Sequence, residues 1–325
     1  MRDDYNRLLE IISSTHNVSL EELERRVAAR RARLYGLIGK RTAARTIAAT
    51  MGFESFLAAG AHHVSGLQVS DALAAARHEA RSGHLSSFAY WPNPNEPPAV
   101  IGSHYVQAID AVAAANLDSS ISIKVDQFHY DREILAQVLH QAMLRRIRVH
   151  FDAQPFETTD RTHALVEEAV AMGADVSATL PSRWERSVQD AERFLRLGIP
   201  IRIVKGQGKD PGQPGIDPRR SFLSLVRQVA GRAAHVGIAT HDRRVAEPAL
   251  DLLQATKTPC SLEQLRSLPR LDFLAQRRGI PIRVYIAYGR FGLPYAIAEV
   301  VRRPSILAWI LRDAIVRGHR QVDDR

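Results

Sequence analysis

The chain has 325 residues, a formal net charge of +9, 45% apolar residues and 24% charged residues. That length suits one large domain with an appendage, or two domains, and the balance excludes a disordered chain. Cys260 is the sole cysteine, which excludes an internal disulfide framework and a multi-cysteine metal site and fits a reducing cytoplasm.

No apolar run approaches the length that spans a bilayer. The start, MRDDYNRLLE, lacks the basic region and apolar core of a secretory signal. The expected location is therefore the cytoplasm, with membrane contact at most peripheral.

Residues 1–84 read as an all-helical segment. A first helix opens with Ser19 as N-cap and Glu22 three residues on. A second covers Thr42–Met51 and a third lies near Ser70–Arg81. The arginine run from Glu24 to Arg41 reads as a solvated helix face. It has no interleaved aromatics and no recognised docking motif, so no nucleic-acid partner is expected.

From Leu85 to the end the texture changes, and residues 85–325 read as a second unit. Short runs rich in β-branched residues alternate with helical patterns. The predicted strands are Leu85–Trp91, Ser120–Asp126, Ile147–Ala153, Ala174–Leu180, Pro200–Gly206, Ala234–His241, Pro259–Leu265 and Pro281–Tyr288. Helical patterns follow each, including a long one over Glu263–Gly279. Gly173, Gly198 and Gly279 stand where helices end. Asp217-Pro218 gives an N-cap followed by Pro at the first helical position.

Eight such units predict an α/β fold, a (β/α)8 TIM barrel with an N-terminal helical segment. The strands read as continuously apolar, as parallel strands covered on both faces should. An open doubly wound sheet would carry a glycine-rich first turn, and WPNPNEPPAVIG is not one.

In a barrel, catalysis sits at the C-terminal strand ends. The polar candidates there are Lys124 and Asp126, Asp152, Ser177 and Thr179, Arg202 and Lys205, Thr240, His241 and Asp242, Glu263 and Gln264, then Tyr285 and Tyr288. Charges inside barrel strands are costly unless paired or bound to a ligand, so Lys124 and Asp152 are expected to pair. The loop Gly206–Gly215, with four glycines, reads equally as a backbone approach to phosphate or as a flexible lid. Strand 1 offers no HxH, so a metal site is not expected. There is no GxSxG elbow, and Cys260 lacks a local signature for a nucleophile.

In order along the chain, these strand ends resemble the proline dehydrogenase family. IRIVKG is similar to the family's strand-5 Arg-(Leu/Ile)-Val-Lys-Gly, and ATHD to its strand-6 Ala-Thr-His-Asn. IRVYIAYG with the later Pro294-Tyr295 is similar to its strand 8 and the helix after it. ISIKVD and HFDAQ are similar to its strand-2 and strand-3 segments.

The resemblance implies a distorted (β/α)8 barrel that binds FAD and passes a hydride from a carbon bearing nitrogen to the flavin. It implies that Arg202, Val204, Lys205 and Gly206 contact FAD, and that Thr240 and His241 border it. Ser177 and Glu263 stand where the family has glutamines beside the flavin. Lys124 and Asp152 would shape the substrate side, with Tyr285 and Tyr295 flanking the substrate.

The chain departs from the family where paired arginines clamp the proline carboxylate. Anchored on Tyr295 and on Arg303-Pro304, those positions are Ala298 and Glu299, and Arg302-Arg303 lie one helical turn further on. Gly208 replaces an aromatic residue. Losing a bidentate clamp removes the main charge-assisted contacts to a carboxylate, and Glu299 would favour a neutral or cationic substrate.

The expected activity is therefore oxidation of a C–N bond in a cyclic or secondary amine, a hydrazine or a modified amino acid, rather than in free L-proline. Quinone, oxygen or a protein would accept the electrons. The alternatives are a genuine proline or hydroxyproline dehydrogenase using another arginine such as Arg290, a flavin-free binding protein, and a lyase with Lys124 or Lys205 as a Schiff-base lysine.

Overall fold

The computed structural model describes residues 21, 65–93, 95–153, 155–206, 208–266, 268 and 270–289. The sequence features at Ser19, Glu22, 24–41, 42–51, Arg290, Tyr295, Ala298, Glu299, Arg302 and Arg303 lie outside the described residues.

Eight parallel strands close into a barrel in sequence order. They are β1 (Leu85–Tyr90), β2 (Ser119–Ile123), β3 (Val149–Phe151), β4 (Val176–Pro181), β5 (Ile201–Val204), β6 (Val236–Ala239), β7 (Cys260–Leu265) and β8 (Ile282–Tyr288). β1 pairs with β8 over six residues, from Leu85 opposite Arg283 to Tyr90 opposite Tyr288, which closes the ring.

The helices are α1 (Val69–Ala80), α2 (Pro98–Ala114), α3 (Arg132–Arg145), α4 (Thr159–Ala171), α5 (Ser187–Leu197), α6 (Pro218–Val229), α7 (Arg243–Ala255) and α8 (Asp272–Gln276). Each predicted strand is present, with its ends within three residues of those expected; β2 begins one residue earlier and β4 ends one residue later. The long helix expected over Glu263–Gly279 is wrong. Glu263–Leu265 belong to β7, and the helix shrinks to the five residues of α8.

The helices form where the sequence gives them a face and a start. In α6 the buried residues are Phe222, Leu225, Val226 and Val229, the spacing of one helical stripe. Asp131, Asp217 and Asp242 cap α3, α6 and α7, each accepting backbone N–H groups of the first turn.

The strands are not continuously apolar. They alternate, and the alternation sorts their residues into two layers. Val149, Phe151, Val176, Leu180, Ile201, Ile203, Val236, Ile238, Leu262, Val284 and Ile286 are buried against the helical ring. Fully burying a side chain of this kind contributes about 1.5–3 kcal/mol.

The intervening residues point into the barrel, and many are polar. Ser87, Ser120, His150, Ser177, Thr179, Arg202 and Glu263 bond to one another across the interior. Barrel interiors are commonly filled by branched apolar side chains. This one encloses a charged and hydroxylated column that rises to the C-terminal mouth.

Candidate active site

Four charged side chains and one tyrosine from five strands meet in the barrel. Lys124 follows β2 and Asp152 follows β3, so both sit at the C-terminal mouth. Lys124 Nζ donates to Asp152 Oδ2 at 2.9 Å and to Tyr285 Oη at 3.1 Å. Tyr285 on β8 donates to the same carboxylate oxygen at 3.0 Å. Arg202 on β5 donates from Nη1 to Asp152 Oδ1 at 3.0 Å and from Nε to Glu263 Oε2 at 2.5 Å. The Lys124–Asp152 pairing expected from the sequence is present, and it is one link of a longer chain: Glu263, Arg202, Asp152, Lys124 and Tyr285.

Burial opposes charge on every member, and the alternation of sign overcomes it. Burial alone would raise the Asp152 pKa, yet Lys124 and Arg202 hold it well below the usual carboxylate range. Burial would lower the Lys124 pKa, and Asp152 with Tyr285 instead raises it well above that of an ordinary lysine. Arg202 likewise resists burial through Glu263 and Asp152. Burial and the neighbouring Asp152 raise Tyr285, so its hydroxyl keeps its proton.

His150 lies beneath this chain. Its two ring nitrogens contact Ser177 Oγ at 2.8 Å and Thr179 Oγ1 at 2.7 Å. Burial and the charge of Arg202 push its pKa well below that of a free histidine, so it is a neutral strut.

A second cluster lies beyond the ends of β5 and β6. Lys205 Nζ donates to Asp242 Oδ2 at 2.5 Å, and Arg219 Nε donates to the same oxygen at 2.7 Å. The two cations hold Asp242 down to about 2 against a burial effect that would raise it.

The loop after Gly206 is tied down rather than a free lid. Buried Asp210 accepts from Gly212 N, Gln213 N and Glu185 N at 2.8, 3.1 and 2.9 Å. Trp184 Nε1 donates to Gly208 O at 3.0 Å.

The remaining candidates are dispersed. Thr240 is buried at the end of β6, and its carbonyl accepts from Gln264. His241 Nε2 accepts from Leu265 N at 3.0 Å, a contact that steadies the β6–β7 rim. Ser177 was expected at a strand end but is the second residue of β4 and bonds to His150 inside the barrel. Val204 is the last residue of β5. Asp126 sits in the turn after β2, close enough to feel the charges of Lys124 and Asp152. Tyr288 faces outward and donates to His104 O. Tyr295 and Glu299 lie outside the described residues.

Sequence reasoning missed His150, Gly237, Trp184 and Asp210. His150 was legible, because it shares the period-2 face of Asp152. The others depend on side chains from distant segments.

The residues at the mouth fit a phosphate-bearing flavin in one specific respect. Lys205 and Arg219 project there as a cationic pair, and the positions where Gly206 and Gly208 would carry a Cβ are open space. Among the described residues no group of three His, Cys, Asp or Glu could hold a metal, and no helix is long and apolar enough to cross a membrane.

No protein-family model matches the chain. In sequence it is similar to proline dehydrogenase 1 of Bacillus subtilis subsp. natto, 22% identical over 220 residues, 63% of this chain and 73% of that one. It is also similar to the proline dehydrogenase of Deinococcus radiodurans, 24% identical over 226 residues, 64% of this chain and 73% of the other. In fold it is similar to proline utilization A (PutA) from Bdellovibrio bacteriovorus inactivated by N-propargylglycine. The TM-score is 0.67 at 11% identity, covering 92% of this chain and 36% of that chain. The chain therefore spans about a third of the length of that structural relative.

Proposed function

We propose that this divergent relative of the proline dehydrogenases is an FAD-dependent oxidoreductase acting on a C–N bond of an amine-type substrate other than free L-proline. The observation that carries the reading is the Lys124–Asp152–Tyr285 contact set joined to Arg202 at the barrel mouth, in a chain similar to proline dehydrogenases in both sequence and fold.

Bound FAD would take up the hydride released from the carbon beside nitrogen. Arg202, Val204, Lys205, Gly206, Thr240, His241 and Glu263 are the residues we assign to its surroundings. Asp152 anchors the substrate side by holding Lys124 and Tyr285 in place. Tyr285 presents a protonated hydroxyl, and Lys124 a charged ammonium that lies 5.5 Å from the Trp91 ring centre. Such fixed groups orient a substrate without reorganising during reaction.

The charge balance supports a substrate that is not an anion. In the interior chain two cations, Lys124 and Arg202, face two carboxylates, Asp152 and Glu263. That chain leaves no net positive charge for a substrate carboxylate. Glu299, in the place of an arginine, argues the same way from sequence. The lyase reading is weakened by Lys124 itself. A Schiff-base lysine needs a neutral amine, and here Asp152 holds the ammonium.

The test is the visible spectrum of the purified protein, with the released chromophore identified, followed by anaerobic titration with amines and with L-proline. We expect FAD, bleached by a secondary or cyclic amine and not by proline. A colourless protein that takes up no FAD would overturn the flavoenzyme reading. Rapid bleaching by free L-proline would overturn the substrate assignment alone. Reoxidation of the bleached protein by oxygen, by a quinone or by neither identifies the class of electron acceptor.

A further inference from the structure

Glu263 reaches Arg202 across β6, and it can do so because residue 237 is glycine. In the β5–β6 register Arg202 stands opposite Gly237, and both occupy inward positions. A Cβ on Gly237 would collide with the Glu263 carboxylate. The carboxylate therefore fills the space that any other residue at 237 would take, and from there it accepts Arg202 Nε at 2.5 Å.

The guanidinium is consequently gripped on two edges. Nε is held by Glu263 and Nη1 by Asp152 at 3.0 Å, and Nη2 lies 3.5 Å from Ser87 Oγ. A planar fork held by two carboxylates has its orientation fixed, which a single contact would not achieve.

We infer that Gly237 and Glu263 form a positioning pair that fixes the Arg202 guanidinium and keeps the charge beneath the barrel mouth balanced, so lowering the reduction potential of the cofactor bound there. Glu263 is a positioning residue acting through Arg202, and Gly237 is its seat. This inference rests on the flavin reading above and deepens it.

Glu263→Gln removes one negative charge and keeps a group that can still hydrogen-bond Arg202. The interior chain then carries two cations and one carboxylate, a net change from zero to +1. A positive charge near a flavin favours the reduced, more negative form. Gly237→Ala acts from the other side by pushing the carboxylate off Arg202.

The experiment is a redox titration of bound flavin in the wild type, in each single variant and in the double variant. Circular dichroism and thermal melts run alongside. For Glu263→Gln we expect the reduction equilibrium to shift about tenfold toward reduced flavin, a rise of ~30 mV for a two-electron couple. Gly237→Ala should move the potential in the same direction by a smaller amount. The double variant should match Glu263→Gln, because the alanine has no carboxylate left to displace.

A folded, flavin-bound Glu263→Gln with the wild-type potential would overturn the inference and leave Glu263 a structural ion pair. A shift in Glu263→Gln with none in folded Gly237→Ala would overturn the role of Gly237. If Gly237→Ala does not fold, Glu263→Gln decides alone. Loss of fold in both variants would assign the pair to stability and overturn the inference. A wild type without flavin would overturn it together with the proposed function, an outcome read before any variant is made.

Discussion

Two carboxylates in this barrel each hold a lysine and an arginine, and the two sets differ in the exposure of the arginine. Asp152 joins Lys124 and Arg202 inside the mouth, and Asp242 joins Lys205 and Arg219 at the rim. The Arg202 side chain is 8% exposed and that of Arg219 is 52% exposed. Desolvation makes the inner cluster intolerant of any lost member. Water and salt screen the exposed Arg219 in the outer one, so its pair with Asp242 contributes little to stability and can exchange partners. Identical chemistry thus gives a fixed scaffold in one place and an exchangeable contact in the other.

The contrast is broken most severely by Asp152→Asn. The amide leaves two buried cations with Glu263 as their remaining carboxylate. We expect a loss of about 3–5 kcal/mol, the range for breaking a buried pair by removing one partner, measured by urea unfolding. The pH dependence has a definite sign. Asp152 is held below its unfolded pKa of about 3.9, so its contribution is complete above that value and is lost as pH falls through the folded one. The acid limb of the stability profile should therefore be shallower in Asp152→Asn. A variant as stable as wild type, with the same acid limb, would show that the inner cluster is no scaffold.

An intermediate effect is expected from Asp210→Ala in the loop that runs from Lys205 to Arg219. Asp210 accepts three backbone N–H groups, and removing them unties the loop from the segment after β4. We expect about 1–3 kcal/mol of destabilisation and faster limited proteolysis between Gly206 and Gly215, with the barrel core still intact. Unchanged proteolysis would show that Trp184 alone holds the loop.

Much of this architecture was legible in the sequence. Short runs rich in β-branched residues, separated by helical stripes, located all eight strands, because strand composition and helix capping are local properties; the alternation within the strands went unread. Asp217-Pro218 is a case in point, since the cap and the proline announce α6 by themselves. The error over Glu263–Gly279 came from reading a helical stripe through residues whose backbone completes the sheet.

The site was legible as a set of strand ends and not as a set of contacts. The pairing of Lys124 with Asp152 follows from neighbouring strands. The grip of Glu263 on Arg202 runs from β7 to β5 over a glycine on β6, and no local pattern encodes it. Ser177 shows the opposite failure: a hydroxyl counted as a strand end lies in the interior because β4 runs on to Pro181.

The smallest effect sharpens the comparison at the rim. Asp242→Asn keeps a side chain able to cap α7 and removes the charge that engages Lys205 and Arg219. If these two residues meet the phosphates of FAD, Asp242 competes with the ligand for them. Removing that competition should then tighten binding. We expect about 3- to 10-fold tighter FAD binding at low salt, corresponding to ~1 kcal/mol for a screened pair. Titration of apoprotein by flavin fluorescence measures it, and the gain should shrink as salt is raised. Asp242 is held down to about 2, so it stays charged throughout the neutral range and the competition does not vary there with pH. Equal affinity in variant and wild type at every salt concentration would mean that Lys205 and Arg219 do not contact the phosphates. The rim cluster would then be a structural tie between β5, α6 and α7, and the contrast with the inner cluster would be one of burial alone.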